Sequence, residues 1–166
     1  MTHVCSLDQI PVEDQRYDAV ILTQVLEHLP DPKLVLKELN RVLKPGGKLY
    51  LTAPLFYPEH EQPYDFFRYT QFSLDMLCKH AGFEIEEIDW LEGYFGTLSF
   101  QLEQAANKMP WKPSQSPATW LGAPILLGLR PLFMVLSLWF ARLDLRKKIT
   151  THGQCKNYAL IAKKVG

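Results

Sequence analysis

The residues in this chain best suited to chemistry are two histidines and an arginine. His28, beside Glu27, lies one turn past the apolar run Ala19–Leu22. An imidazole there can orient a substrate or accept a proton. Glu27 suits a local hydrogen bond or charge pair. The stretch Tyr57–Thr70, YPEHEQPYDFFRYT, mixes aromatics with charges. Tyr57, Tyr64, Phe67 and Tyr69 can stack on a ligand or exclude water, and Arg68 can hold an anionic group. The same residues can equally form a self-packed surface loop in which Arg68 pairs with an Asp or Glu. His60 sits between Glu59 and Glu61, which raises the question of a metal. No second histidine stands at ligand spacing, however, and Cys5, Cys78 and Cys155 form no CxxC pair, so no metal is expected.

These groups need a scaffold, and the pattern around them supplies one. Ala19-Val20-Ile21-Leu22 is a continuous apolar run, as expected of a parallel strand buried on both faces. Asp31 is a helix N-cap and Pro32 suits the first helical position. Val35, Leu36, Leu39, Val42 and Leu43 make one apolar stripe. Pro45-Gly46-Gly47 is expected to stop that helix, with Arg41 and Lys44 in its last turn. A second strand starts at Leu49. Strand, helix, strand implies a right-handed parallel crossover. Further on, Ser73 is read as the cap of a helix through Ala81, with Gly82 at C′. Phe83–Trp90 reads as a strand, Thr97–Met109 as a helix and Lys112–Pro117 as a linker. Tyr158–Lys163 reads as a last strand, and Thr2–Cys5 as the end of one.

The bulk numbers fit a globular chain. The 166 residues are 47% hydrophobic and 22% charged, with zero formal net charge. That balance gives no electrostatic pull toward nucleic acid. Scattered cysteines in odd number argue for reduced thiols and a cytoplasmic protein. The N-terminal residues have neither the basic nor the apolar region of a signal peptide.

Four segments carry a family resemblance: Asp8–Asp14 (DQIPVED), Val25–Pro32 (VLEHLPDP), Arg41–Gly47 (RVLKPGG) and Leu51–Pro54 (LTAP). Together they resemble the class I S-adenosylmethionine-dependent methyltransferases, and among them the type 11 methyltransferase domains. The resemblance implies an α/β fold: part of a Rossmann-like sheet of order 3-2-1-4-5-7-6, of which this chain carries strands 4, 5, 7 and 6 with flanking helices. Residues 1–96 would be the partial core, 97–150 a helical apolar insertion and 151–166 the final core strand. The family's Gly-rich loop after strand 1 has no counterpart, since no G-x-G occurs. The chain is therefore expected to be a fragment of a longer enzyme.

The resemblance also implies a site. The cofactor is S-adenosylmethionine. Its adenine end would meet Leu7 and Asp8, beside Ser6, and its amino-acid end Thr23, Gln24 and Val25. His28 would be the catalytic candidate, and Tyr57, His60, Tyr64, Phe67, Arg68 and Tyr69 the substrate loop. The implied reaction is methyl transfer to a small-molecule or lipid-like acceptor. The alternative is a catalytically inactive module that binds a partner or membrane surface. A nicotinamide enzyme is disfavoured, because no G-x-G-x-x-G follows a strand.

Trp120–Ala141 is strongly apolar and is followed by Arg142, Arg146, Lys147 and Lys148. Arg130-Pro131 is expected to split it into two pieces of about ten residues, against the roughly 20 that span a bilayer. Three roles remain open for residues 120–148: a cap or self-association interface, peripheral membrane contact, and a true span. The isolated chain is expected to be marginal or oligomeric, because its first parallel strand has an uncovered edge.

Overall fold

The computed structural model describes residues 4–108, 117–151 and 153–165. Of the sequence expectations, residues 2–3, Met109 and the linker at 112–116 lie outside these. So do the side chains at 117–124, 126 and 127, among them Trp120. The chain forms two compact units, residues 1–91 with 156–166, and residues 92–155.

The first unit is a four-stranded sheet, β1 (Tyr17–Thr23), β2 (Leu43–Pro54), β3 (Phe83–Trp90) and β4 (Asn157–Lys164), with two helices, α1 (Pro32–Val42) and α2 (Gln71–His80). The spatial order is β1-β2-β4-β3. β1 and β2 pair in parallel, and β4 runs antiparallel between β2 and β3. This is the 4-5-7-6 order implied by the resemblance. Val4 and Cys5 belong to no strand, contrary to expectation. With no neighbouring strand among the described residues, their backbone has no ladder to join.

α1 starts where the sequence places it. Asp31 Oδ1 accepts from the backbone N–H groups of Lys33 and Leu34 at 3.1 and 3.2 Å. Val35, Leu36, Leu39 and Val42 are all buried, each such side chain worth about 1.5–3 kcal/mol. The helix ends earlier than expected. Leu43 is already extended (ψ 141°) and pairs with Tyr17. The Lys44–Gly47 turn therefore lies inside the strand segment, where Gly46 takes φ +75°. A Cβ on Gly47 would stand 2.9 Å from the Lys44 carbonyl oxygen and 3.1 Å from that of Asp18.

α2 is capped by Thr70 rather than Ser73. Ser73 N–H donates to Thr70 Oγ1 at 3.2 Å, and Thr70 N–H donates to Ser73 Oγ at 2.9 Å. Ser73 is thus the N3 partner of a capping box. Gly82 follows the helix with φ +80°.

Only one face of the sheet is covered within this unit. Leu22, Leu49, Leu51 and Ala53 are buried, whereas Ile21 is 74% exposed and Tyr50 39%. The expectation that β1 is buried on both faces fails because α1 and α2 pack side by side on the same layer. β1 is the sheet's edge.

The second unit pairs α3 (Tyr94–Lys108) with α4 (Pro117–Arg146). Ser99 Oγ donates to the Ser137 carbonyl at 2.8 Å, and Asp144 Oδ2 accepts from Gly93 N–H at 3.0 Å. Pro131 does not split α4, which is one helix of 30 residues. An interior proline costs roughly 3 kcal/mol, and packing along α3 offsets it. Val135, Leu138 and Trp139 are more than half exposed. Among the described residues, no helix is long and apolar enough to cross a membrane.

Candidate functional site

The carboxyl ends of β1 and β2 lie side by side, the place where open α/β sheets bind ligands. Gln24, the residue after β1, takes φ +52°, a left-handed conformation uncommon outside glycine. Two bonds hold it: its N–H donates to the Thr52 carbonyl and its Nε2 to Thr52 Oγ1, both at 3.1 Å. The chain then turns through a short 3-10 helix, Leu26–His28. Thr23 and Gln24 stay exposed, and Val25 is half-buried.

Past the 3-10 turn, at the start of α1, is a cavity of about 160 Å³, lined by Ser6, Leu7, Asp8, Leu29, Pro30, Asp31, Leu34 and Val35. The loop that forms one wall is tied to α1. Glu38 Oε1 accepts from Ile10 N–H at 2.7 Å, and Arg41 donates to the Ile10 and Val12 carbonyls at 2.8 and 2.9 Å. The wall is mostly aliphatic with a polar rim, which suits one face of a planar base. Its volume is below the roughly 300–1,000 Å³ of a whole small-molecule site. The residues present therefore fit one end of a nucleoside cofactor.

The long loop after β2 folds back over the 3-10 turn. The Glu27 carbonyl accepts from Phe66 and Phe67 N–H at 2.9 and 3.3 Å, and Tyr69 N–H donates to the Pro54 carbonyl at 2.9 Å. Arg68 is the loop's staple. Its Nε donates to the Tyr57 carbonyl at 3.0 Å, Nη1 to Asp65 Oδ1 and the Phe67 carbonyl, both at 2.7 Å, and Nη2 to the Pro58 carbonyl and Asp65 Oδ2 at 2.8 and 2.7 Å. All five guanidinium donors are thus used. The expectation that Arg68 holds an external anion is corrected by this geometry, since every donor already points into its own loop. The guanidinium beside Asp65 holds that carboxyl well below the usual carboxylate range, helped by the His60 backbone N–H.

Tyr69 is also corrected. It is 3% exposed and its hydroxyl donates to the Leu26 carbonyl at 2.9 Å. Burial, then the nearby Glu27, raises its pKa above the ordinary phenol value. It fastens the loop to the turn. Tyr57, Tyr64 and Phe67 keep substantial exposure.

The largest departure from the sequence reading concerns His60. Although 32 positions apart, His28 Nε2 and His60 Nε2 face each other at 3.1 Å, with ring centroids at 4.6 Å. The outer nitrogens are anchored: His28 Nδ1 donates to the Tyr64 carbonyl at 2.6 Å, and His60 Nδ1 lies 3.2 Å from the Pro58 carbonyl and 3.3 Å from Asp65. Glu27 completes the group. Its side chain is fully buried, neither carboxylate oxygen has a hydrogen-bond partner, and Oε1 lies 3.8 Å from His28 Nε2. The sequence did not reveal this cluster, because its members are neighbours only through the fold of the β2–α2 loop.

Comparison with known proteins follows the same lines. A sequence family described as a methyltransferase domain matches residues 1–51. A Mycolicibacterium smegmatis protein named "Probable S-adenosylmethionine-dependent methyltransferase/" is 34% identical over 64% of this chain and 48% of its own length. A Staphylococcus aureus demethylmenaquinone methyltransferase is 35% identical over 61% of this chain and 41% of its own. The chain thus spans about half the length of the curated relatives it matches. Among solved structures, the [4+2]-cyclase SpnF shares the fold with a TM-score of 0.57 and 21% identity, over 99% of this chain and 57% of that one. A Haemonchus contortus phosphoethanolamine N-methyltransferase 2, in complex with S-adenosyl-L-methionine, gives 0.53 and 17%, over 98% of this chain and 36% of that one. In its sheet order the chain shares the fold of these solved structures, and in sequence it is similar to S-adenosylmethionine-dependent methyltransferases.

Proposed function

We propose that this chain supplies the adenine-end wall, the strand-end edge and the acceptor loop of an S-adenosylmethionine-dependent methyltransferase acting on a small-molecule or lipid-like acceptor. The observation that carries this is the cavity that brings Leu7 and Asp8 against Leu29–Asp31, the segment that follows the left-handed turn at Gln24 and the 3-10 turn. In this reading Leu7 and Asp8 contact the adenine, with Ser6 at the rim. The Thr23–Val25 backbone faces the amino-acid end, and Tyr57, Tyr64 and Phe67 wall in the acceptor. When bound, the cofactor supplies a methyl group already activated by its sulfonium. The protein's share is then chiefly positioning and exclusion of water. His28, whose Nδ1 is held by the Tyr64 carbonyl and whose Nε2 faces His60, helps to orient the acceptor. The exposed aromatics and the name of the demethylmenaquinone relative support an apolar, ring-bearing acceptor.

The test is amide chemical-shift mapping of the chain with S-adenosylhomocysteine. With only part of the site present, binding is expected to be millimolar, with shifts at residues 6–8 and 23–25. Shifts confined elsewhere, or none at millimolar ligand, would overturn the placement. Micromolar binding would overturn the view that these walls are only part of the site.

A further inference from the structure

We infer that Glu27, His28 and His60 form a binding site for a divalent first-row transition ion, zinc in the first instance. The site lies under the acceptor loop.

Three observations converge on it. The first is tautomeric. The Tyr64 carbonyl can only accept, so His28 Nδ1 carries the proton and Nε2 presents a lone pair. His60 Nδ1 lies between the Pro58 carbonyl and the Asp65 carboxylate, so it too is the protonated nitrogen, and its Nε2 presents a lone pair. Two lone pairs at 3.1 Å repel unless something positive lies between or beside them. Imidazoles whose outer nitrogens donate to a carbonyl or carboxylate while the inner nitrogens converge follow the usual second-shell arrangement of metal-bound histidines.

The second observation is Glu27. A carboxylate with no exposed surface and no hydrogen-bond partner for either oxygen is costly to bury. Arg68 acts on it only at a distance, because all five guanidinium donors are engaged elsewhere. A cation held jointly with the histidines would neutralise it where it stands.

The third is distance. Two nitrogens each about 2.0–2.1 Å from a tetrahedral zinc stand roughly 3.3 Å apart, and the His28–His60 pair stands at 3.1 Å. One donor atom from each of the three residues lies within 4.8 Å of the others. Seating a common ion then needs only a small side-chain rotation. Two imidazoles and one carboxylate form a borderline set that favours zinc or iron(II) over magnesium or calcium. Three protein ligands leave a position open to water or to an acceptor oxygen.

The site does not depend on methyl transfer, and its test uses neither cofactor nor acceptor. The metal-stripped chain is titrated with Zn²⁺ by calorimetry and with Co²⁺ by visible absorption. The expected result is one ion per chain and the d–d bands of a low-coordinate cobalt site. Glu27→Gln, which keeps the side chain's shape, and His60→Ala, in a half-exposed loop, are each expected to weaken Zn²⁺ binding at least tenfold. Nitrogen-15 spectra of the imidazoles are expected to show both Nε2 resonances moving on Zn²⁺ addition. Equal binding by wild type and the His28→Ala/His60→Ala double variant would overturn the site. So would an Nε2–H proton shared by His28 and His60 that persists in excess Zn²⁺.

Discussion

Replacing Asp65 by Asn tests how the β2–α2 loop is held. Asp65 accepts three short bonds, from Arg68 Nη1 and Nη2 at 2.7 Å each and from His60 N–H at 2.8 Å. An Asn keeps one accepting oxygen and turns an NH₂ group toward another donor. The lost bonds involve charged partners, worth about 1.5–3 kcal/mol each, and breaking a buried pair typically costs 3–5 kcal/mol. Arg68 retains 24% side-chain exposure, so water recovers part of this, leaving about 2–3 kcal/mol net. That corresponds to a fall of about 5–10 °C in melting temperature. Because the chain has two units, the readout should be specific to the first. Hydrogen exchange of the β2 and β4 amides in urea provides that.

The pH dependence supplies a second check. The folded-state pKa of Asp65 is depressed. Its contribution is therefore present above the ordinary aspartate value of about 3.9 and is lost as pH falls toward the lower folded value. The stability gap between wild type and Asp65→Asn should be full at neutral pH and close below about pH 4. A gap under about 0.5 kcal/mol at neutral pH, or one unchanged in acid, would refute the assignment of Asp65 as the loop's anchor.

Two further outcomes follow from the fold. Gly47→Ala should cost about 1–3 kcal/mol in urea denaturation, because the new Cβ meets backbone oxygens of Lys44 and Asp18 rather than a yielding side chain. Among the cysteines, only Cys5 should react quickly with a thiol reagent in the native protein: it is exposed, whereas Cys78 and Cys155 are buried. Burial also pushes the Cys78 thiol up to about 12. Fast labelling of Cys78 by a neutral-pH reagent would show that α2 opens readily.

Much of the first unit was legible in the sequence because local chemistry and tertiary packing agree there. Asp31 both caps α1 in the sequence pattern and does so in space, and Phe83–Trp90 keeps its bounds as β3. Where they disagree, packing wins. Leu43 fits the helical stripe, but its pairing with Tyr17 ends the helix one residue earlier. Pro131 reads as a breaker, yet α4 runs through it. Ser73 reads as the cap of α2, but the reciprocal bonds make Thr70 the cap and Ser73 its partner at N3. At the site, the strand ends were legible from topology. The meeting of His28 with His60 was not, because their separation in sequence carries no periodicity that a helix or strand would impose. Nor could the sequence show that Arg68 spends all five donors on its own loop.

The position of β4 between β2 and β3 has a consequence for how the protein is made. Among the described residues β3 pairs only with β4, and β4 is translated only after the whole second unit. A growing chain thus emerges with β1 and β2 able to pair, and β3 waiting with its ladder open. Every β2–β4 and β3–β4 bond closes late and across a long stretch of chain, the kind of pairing that slows folding and exposes strand edges meanwhile. The two halves of the sheet are joined only once β4 has been made, so ribosome-bound chains stopped before Asn157 should expose β3 to protease.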